Sequence, residues 1–150
     1  MLFRSMLQNR QPIIYGDGEQ KRSFSDVDDC IYCIDKLATD PNITSQLVNI
    51  GPGPENEISV NELFRKISNQ LKFNKEPIYK PERVNEVKNA ICSSALADNL
   101  FKNNSNKNIE KVLSKMIKFI KIKGIKKFNY NYEIEINNDL TPDTWSKKLI

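Results

Sequence analysis

Apolar positions recur at two different spacings along this 150-residue chain, and the changes of spacing divide it into elements. Leu2, Phe3, Met6 and Leu7 fall at helical intervals, and Asn9 with Gln11-Pro12 stops them, so residues 2–10 read as the end of a helix. This helix opens without an N-terminal cap, as a chain cut from a longer protein would. The run Pro12-Ile13-Ile14-Tyr15 reads as a strand, Gly16-Asp17-Gly18 as the turn that ends it, and the residues around Phe24 as a second short strand. Arg22 then falls in the loop between the two strands. An acidic cluster opens a helix from Asp28 to about Ala38, in which Cys30, Ile31, Cys33, Ile34, Leu37 and Ala38 gather on one side at about 100° per residue.

Farther on, Gln46-Leu47-Val48-Asn49-Ile50 has the composition of a strand, closed by the turn Gly51-Pro52-Gly53-Pro54. Ser59-Val60-Asn61-Glu62 is a capping box, and the helix it starts has Val60, Leu63, Phe64, Ile67 and Leu71 on its inner face. Pro77-Ile78-Tyr79-Lys80-Pro81 reads as an edge strand bounded by prolines, and Ser94 to Leu100 as a short helix. From Ile109 to Lys123 a stripe of Ile109, Val112, Leu113, Met116, Ile117 and Ile120 predicts a helix that Gly124 ends. Tyr130, Tyr132, Ile134 and Ile136 alternate enough to predict an extended tail pinned by Trp145. The chain thus divides into a packed portion, residues 1–127, and a tail, 128–150.

Composition fits a globular domain of this length, with 39% apolar and 28% charged residues. No apolar run approaches membrane-spanning length, and the opening Met1-Leu2-Phe3-Arg4-Ser5-Met6-Leu7 is too short and interrupted for a secretory core, so a cytoplasmic location is expected. The net charge of +4 is uneven: nine lysines face one acid, Glu110, between Lys102 and Lys127. No aromatic residues interleave with them as a base-stacking platform requires, which favours a solvated helix face over a nucleic-acid or membrane surface. The chain has no histidine and three cysteines. Without histidine no His-dependent triad is possible, and Cys30, Cys33 and Cys92 fall short of a four-ligand zinc site, so the Cys30/Cys33 pair reads as part of a buried helix face.

Taken alone, Gly-Asp-Gly with a nearby arginine is an ordinary solvated hairpin. The longer string Tyr15-Gly16-Asp17-Gly18-Glu19-Gln20-Lys21-Arg22-Ser23-Phe24, followed by Val27-Asp28-Asp29, resembles the YGDG signature of NAD-dependent nucleotide-sugar epimerases and dehydratases. These form the extended short-chain dehydrogenase/reductase family. Asn49-Ile50-Gly51-Pro52-Gly53, Ile58-Ser59-Val60-Asn61-Glu62-Leu63, Arg83-Val84-Asn85-Glu86-Val87-Lys88 and Cys92-Ser93-Ser94 follow in the family's order, and Thr141-Pro142-Asp143-Thr144-Trp145 resembles the ending of a UDP-glucose 4-epimerase-like subgroup. The likeness covers nearly the whole chain but only the second half of such an enzyme.

The resemblance implies an α/β fold: the C-terminal, substrate-binding part of the family, short strands with packed helices, lacking most of the Rossmann sheet. It implies that Arg22 and Arg83 bind the diphosphate of a UDP-sugar, Glu86 a ribose hydroxyl, Ile13 and Tyr15 the base, and that Ala90 sizes the sugar pocket, a small residue there admitting an N-acetylated sugar. Val84-Asn85 replaces the family's Pro-Gly in that loop. Without the resemblance, Arg83 and Glu86 read as a surface ion pair worth under about 1 kcal/mol. NAD is implied as cofactor, bound by the N-terminal half, and a homodimer as the full-length enzyme. Tyr32-Cys33-Ile34-Asp35-Lys36 matches the family's Tyr-x-x-x-Lys, but it follows the YGDG string instead of preceding it, and both residues fall opposite the apolar stripe. No catalytic residue is therefore expected here, and the chain alone is expected to be inactive. Dehydratase or decarboxylase chemistry, a non-catalytic fragment and a basic nucleic-acid binder remain as alternatives.

Overall fold

The computed structural model describes residues 2–102, 108–124, 138–141 and 146. In order, these form α1 (Leu2–Leu7), β1 (Ile13–Tyr15), β2 (Lys21–Ser23), α2 (Val27–Thr39), a single 3-10 turn (Pro54–Asn56), β3 (Glu57–Ser59), α3 (Val60–Leu71), β4 (Ile78–Lys80), β5 (Asn89–Ala90), α4 (Ala95–Phe101) and α5 (Ile109–Lys123). The architecture is α/β, with short strands and packed helices as expected. The extended tail predicted for 128–150, with Tyr130, Tyr132, Ile134, Ile136 and Trp145, lies almost wholly outside the described residues.

Two small sheets carry the strands. β1 pairs in parallel with β4, Ile14 opposite Tyr79. β2 lies between β3, antiparallel with Arg22 opposite Ile58, and β5, parallel with Arg22 opposite Ala90. Two sequence expectations are corrected here. Arg22 stands on a strand, not in a loop, because the backbone of residues 21–23 finds partners on both sides. Residues 46–50 form no strand, because no other segment among the described residues pairs with them.

α3 starts where the capping box put it. The Ser59 hydroxyl accepts from the Glu62 amide at 3.1 Å, and the Glu62 carboxylate accepts from the Ser59 amide at 2.8 Å, satisfying two donors that a helix N-terminus leaves open. Its inner residues Phe64 and Ile67 join Leu2, Met6, Ile14 and Leu113 in the main core. α5 spans the predicted residues and ends at Gly124, whose φ of +74° suits glycine. Val112, Leu113 and Ile117 are buried, whereas Met116, assigned to the same stripe, is exposed. A second cluster joins Cys33, Ala97 and Phe101, with Val48 and Ile50 packed against it.

α2 is tied to α5 by charge. Asp26 caps the helix by accepting from the Asp28 amide, and Lys115 donates to Asp26 at 2.7 Å and Asp28 at 2.5 Å. Asp26 is almost wholly buried, and Lys115 holds its carboxyl below the usual carboxylate range against the opposing effect of burial. The predicted apolar side of α2 is only partly covered: Cys33 is buried and Cys30 half-buried, while Ile31 and Ile34 face solvent.

Candidate functional site

The site grows from the end of β1. Alternation along the strand turns Ile14 into the core and leaves Ile13 and Tyr15 on the outward side. The Gly16 amide still donates to the Lys80 carbonyl at 2.9 Å, keeping β1 and β4 together to their common end. There Gly16-Asp17-Gly18 turns away on one side, while on the other the chain passes Pro81 into the loop 82–88. That loop stands over the strand ends.

Arg83 lies across the Tyr15 ring, its guanidinium carbon 4.2 Å from the ring centre, a cation–π contact. Two residues on, Asn85 takes a φ of +60°. This is the left-handed conformation, which asparagine tolerates better than most residues, so the departure from Pro-Gly still gives a turn, closed by the Glu86 amide donating to the Arg83 carbonyl at 3.3 Å. Arg83 and Glu86 do not form the ion pair that the plain reading of the sequence would give; no such bridge exists among the described residues.

Between loop and strand end lies a hollow of about 150 Å³ lined by Tyr15, Gly16, Asp17, Gln20, Glu82, Glu86 and Lys88. One oxygen of Glu86, Oε2, is buried without a hydrogen-bond partner. A buried carboxylate oxygen left so costs free energy until a donor reaches it. Asp17 accepts from the Glu19 amide, and this bond above all holds its carboxyl below the usual range, with Lys88 at 3.7 Å adding to the effect. Three carboxylates make the hollow itself fit for hydroxyl donors. Arg83 at the loop and Lys88 bring positive charge to it.

Arg22 secures the far end of the loop. Its terminal nitrogens donate to the carbonyls of Val87 (2.6 Å), Lys88 (3.2 Å) and Lys21 (2.7 Å), and the Lys21 amide donates to the Lys88 carbonyl at 2.8 Å. Three of the five donors of a guanidinium are engaged in this way. Ala90 lies across the parallel ladder from Arg22 and is exposed. Tyr15, Arg83 and Glu86 are thus brought together directly. Arg22 and Ala90 adjoin through the loop's end and the β2–β5 ladder, and Ile13 lies two residues back on the face of Tyr15.

Lys88, Asp17, Gln20 and Glu82 also line the hollow, although the sequence reading gave them no role. Lys88 lies in the quoted loop string with Glu82 directly before it, and Asp17 and Gln20 lie in the string from Tyr15 to Phe24, the signals that could have marked them. Tyr32 and Lys36 do not form a proton-transfer pair: the Tyr32 hydroxyl donates to the Phe101 carbonyl at 3.4 Å, and Lys36 sits 5.7 Å from the ring centre. No cluster of metal-ligating side chains exists among the described residues, and no helix there is long and apolar enough to cross a membrane.

A family model for the NAD-dependent epimerase/dehydratase family matches residues 1–51, the stretch that carries Tyr15 and Arg22. A UDP-glucose 4-epimerase homologue of Methanocaldococcus jannaschii is 44% identical over 82 residues, 55% of this chain and 25% of the relative. Over these stretches the chain is similar to the NAD-dependent epimerases and dehydratases. Among solved structures of this family, the UDP-glucose 4-epimerase of Thermotoga maritima with UDP-glucose matches with a TM-score of 0.73 and 26% identity, over 81% of this chain and 38% of that one. The UDP-N-acetylglucosamine 4-epimerase of Methanobrevibacter ruminantium, in complex with UDP-N-acetylmuramic acid, matches with a TM-score of 0.71 and 25% identity, over 82% and 39%. The chain therefore spans about a quarter of the curated relative and about two fifths of the solved ones.

Proposed function

We propose that this chain is the nucleotide grip of a nucleotide-sugar epimerase. The supporting observation is the hollow that Tyr15 and Glu86 line together, with Arg83 across the same tyrosine ring. A nucleoside diphosphate offers what each group lacks. A ribose hydroxyl donates to Glu86, a base lies along the Ile13 and Tyr15 side of β1, and the diphosphate takes charge-assisted bonds from Arg83 and from the donors that Arg22 keeps free. Ala90, small and exposed beside Arg22, leaves room for a sugar as bulky as an N-acetylated one.

NAD does not fit the described residues. They contain no Gly-x-Gly-x-x-Gly loop joining a strand to a helix. The cofactor, and with it the choice between epimerase and dehydratase chemistry, belongs to the rest of the fold. In an epimerase this portion would hold the nucleotide while the sugar is oxidised and re-reduced elsewhere. Holding by loop and strand ends leaves the sugar free to turn.

Calorimetric titration of the chain with UDP tests this reading. Arg83→Ala removes a charge-assisted contact of about 1.5–3 kcal/mol and should weaken binding roughly 10- to 150-fold. Glu86→Gln, which keeps the shape, should weaken UDP far more than UMP-free pyrophosphate. Unchanged UDP affinity in both variants would refute the assignment.

A further inference from the structure

The face of β2 turned away from Arg22 borders a second cavity. Successive residues of a strand point to opposite faces, so Lys21 stands on the side of β2 away from Arg22, with Ser59 opposite it and Glu57 on the diagonal. The Lys21 ammonium donates to Glu57 Oε1 at 3.1 Å across this face. The start of α3 adds Glu62 and Arg65, three residues apart and therefore neighbours on the helix surface. With Glu19 and Ser59, these side chains line a cavity of about 640 Å³.

Its charged groups are unevenly matched. Glu57 has one oxygen on Lys21 and the other, Oε2, buried with no hydrogen-bond partner. Arg65 makes no hydrogen bond or ion pair among the described residues, not even with Glu62. Glu62 is committed through one oxygen to the Ser59 amide, and Glu19 through one to Asn61. The cavity thus holds a guanidinium fork without an acceptor and a carboxylate short of a donor. Three carboxylates stand against two cations, which leaves one negative charge in excess.

We infer that this cavity binds a free basic α-amino acid. An α-carboxylate suits the planar fork of Arg65, and an α-ammonium is the donor that Glu57 is short of. The last side-chain torsion of a glutamate is soft, so the carboxylate turns to present its second oxygen at small cost. The cationic end of the ligand's side chain then meets the remaining oxygens of Glu19 and Glu62. A simple anion would face three carboxylates, and a simple cation would face Lys21 and Arg65; a ligand carrying both signs, with one positive charge over, matches the lining. The volume lies within the range of small-molecule sites. None of these groups is assigned to the nucleotide, so the inference stands apart from the nucleotide reading.

The test titrates the full chain by calorimetry with L-arginine and L-lysine, which should bind saturably at one site. Agmatine lacks the carboxylate and N-acetyl-arginine lacks the α-ammonium; these and inorganic phosphate should each bind at least about tenfold more weakly than arginine. Arg65→Ala should weaken arginine roughly 10- to 150-fold and leave agmatine unchanged, because only arginine offers the fork a carboxylate. Glu57→Gln should weaken arginine and leave N-acetyl-arginine unchanged. Arg65 is exposed and unpaired, so Arg65→Ala should keep the wild-type circular dichroism and urea midpoint, which makes its result decisive even where Glu57→Gln unsettles the β2–β3 pair. No binding of arginine or lysine to the wild type overturns the inference, as does phosphate or N-acetyl-arginine binding as tightly as arginine. Arginine affinity unmoved by Arg65→Ala overturns it too. UDP titration reads Arg83 and Glu86 instead: lost UDP binding with arginine binding intact defeats the nucleotide reading alone, and the reverse result defeats this one alone.

Discussion

Gly18→Ala is the substitution whose cost the structure sets most sharply. Gly18 has a φ of +77°, and a Cβ built on it would lie 2.1 Å from Asn61 Oδ1 and 2.6 Å from its Cγ. The left-handed backbone alone costs an alanine about 1 kcal/mol or somewhat more. The steric conflict adds to this, because the Asn61 side chain is not free to swing away. It donates to the Asp17 carbonyl (2.9 Å) and the Glu19 carboxylate (2.6 Å), and accepts from the Tyr79 hydroxyl (2.9 Å). These bonds are solvent-exposed, so the low end of about 0.5–1 kcal/mol each is appropriate, giving roughly 1.5–3 kcal/mol for all three. Gly18→Ala should therefore lose about 2.5–4 kcal/mol. Urea unfolding followed by far-ultraviolet circular dichroism would read this as a midpoint lowered by roughly 1–2 M at unchanged slope. Asn61→Ala should lose only the hydrogen-bond share. In that background Gly18→Ala should cost only its backbone share, so the double variant should be no less stable than Gly18→Ala alone. A loss below about 0.5 kcal/mol for Gly18→Ala, or full additivity of the two changes, would refute the reasoning.

Two further outcomes follow from the helix ends. Ser59→Ala removes the acceptor that caps α3 at a buried position and should cost about 1 kcal/mol in the same urea assay, with Ser59→Thr restoring most of it. At the N-terminus of α2, Asp26 binds its proton less readily folded than unfolded, so its contribution is present above about pH 4 and is lost as pH falls through the lower folded value. Lys115, pushed above its usual range by the same carboxylates, stays charged throughout that window. Thermal melts from about pH 6 down to about pH 2.5 should show stability falling, and Lys115→Met should be less stable at the upper end with a shallower fall. An identical acid limb in the two proteins would exclude this clamp as its source.

Elements built from neighbours in sequence were legible, and those built from distant partners were not. The capping box at Ser59 and Glu62 spans three residues and fixes the start of α3 by itself. The α5 stripe with its terminal Gly124 is similarly local. β2 is the opposite case: Lys21-Arg22-Ser23 has no strand signature of its own, and it becomes a strand because Glu57–Ser59 and Asn89–Ala90 arrive on either side. Residues 46–50 have the signature and lack a partner among the described residues. The stripe of α2 was visible, but the sequence does not tell which segment covers which part of it, and Ile31 and Ile34 stay exposed.

The same division runs through the site. Tyr15 and Arg83 lie in separate elements of the chain, and no spacing rule joins them; their common place came only from resemblance, and their contact at 4.2 Å follows from β1 and β4 ending together. The loop that carries Arg83 shows why an altered motif need not mean an altered site. Replacing Pro-Gly by Val84-Asn85 removes both the residue that presets φ and the residue freest at positive φ. Asn85 nonetheless takes φ +60°, and the loop's far end is fastened independently by Arg22 on the Val87 and Lys88 carbonyls. A loop held at both ends, by a stacked arginine at one and a bonded arginine at the other, depends less on what lies at its tip. The two arginines are thus joined structurally through residues 83–88, and a ligand contacting Arg83 would meet a loop whose position Arg22 already fixes.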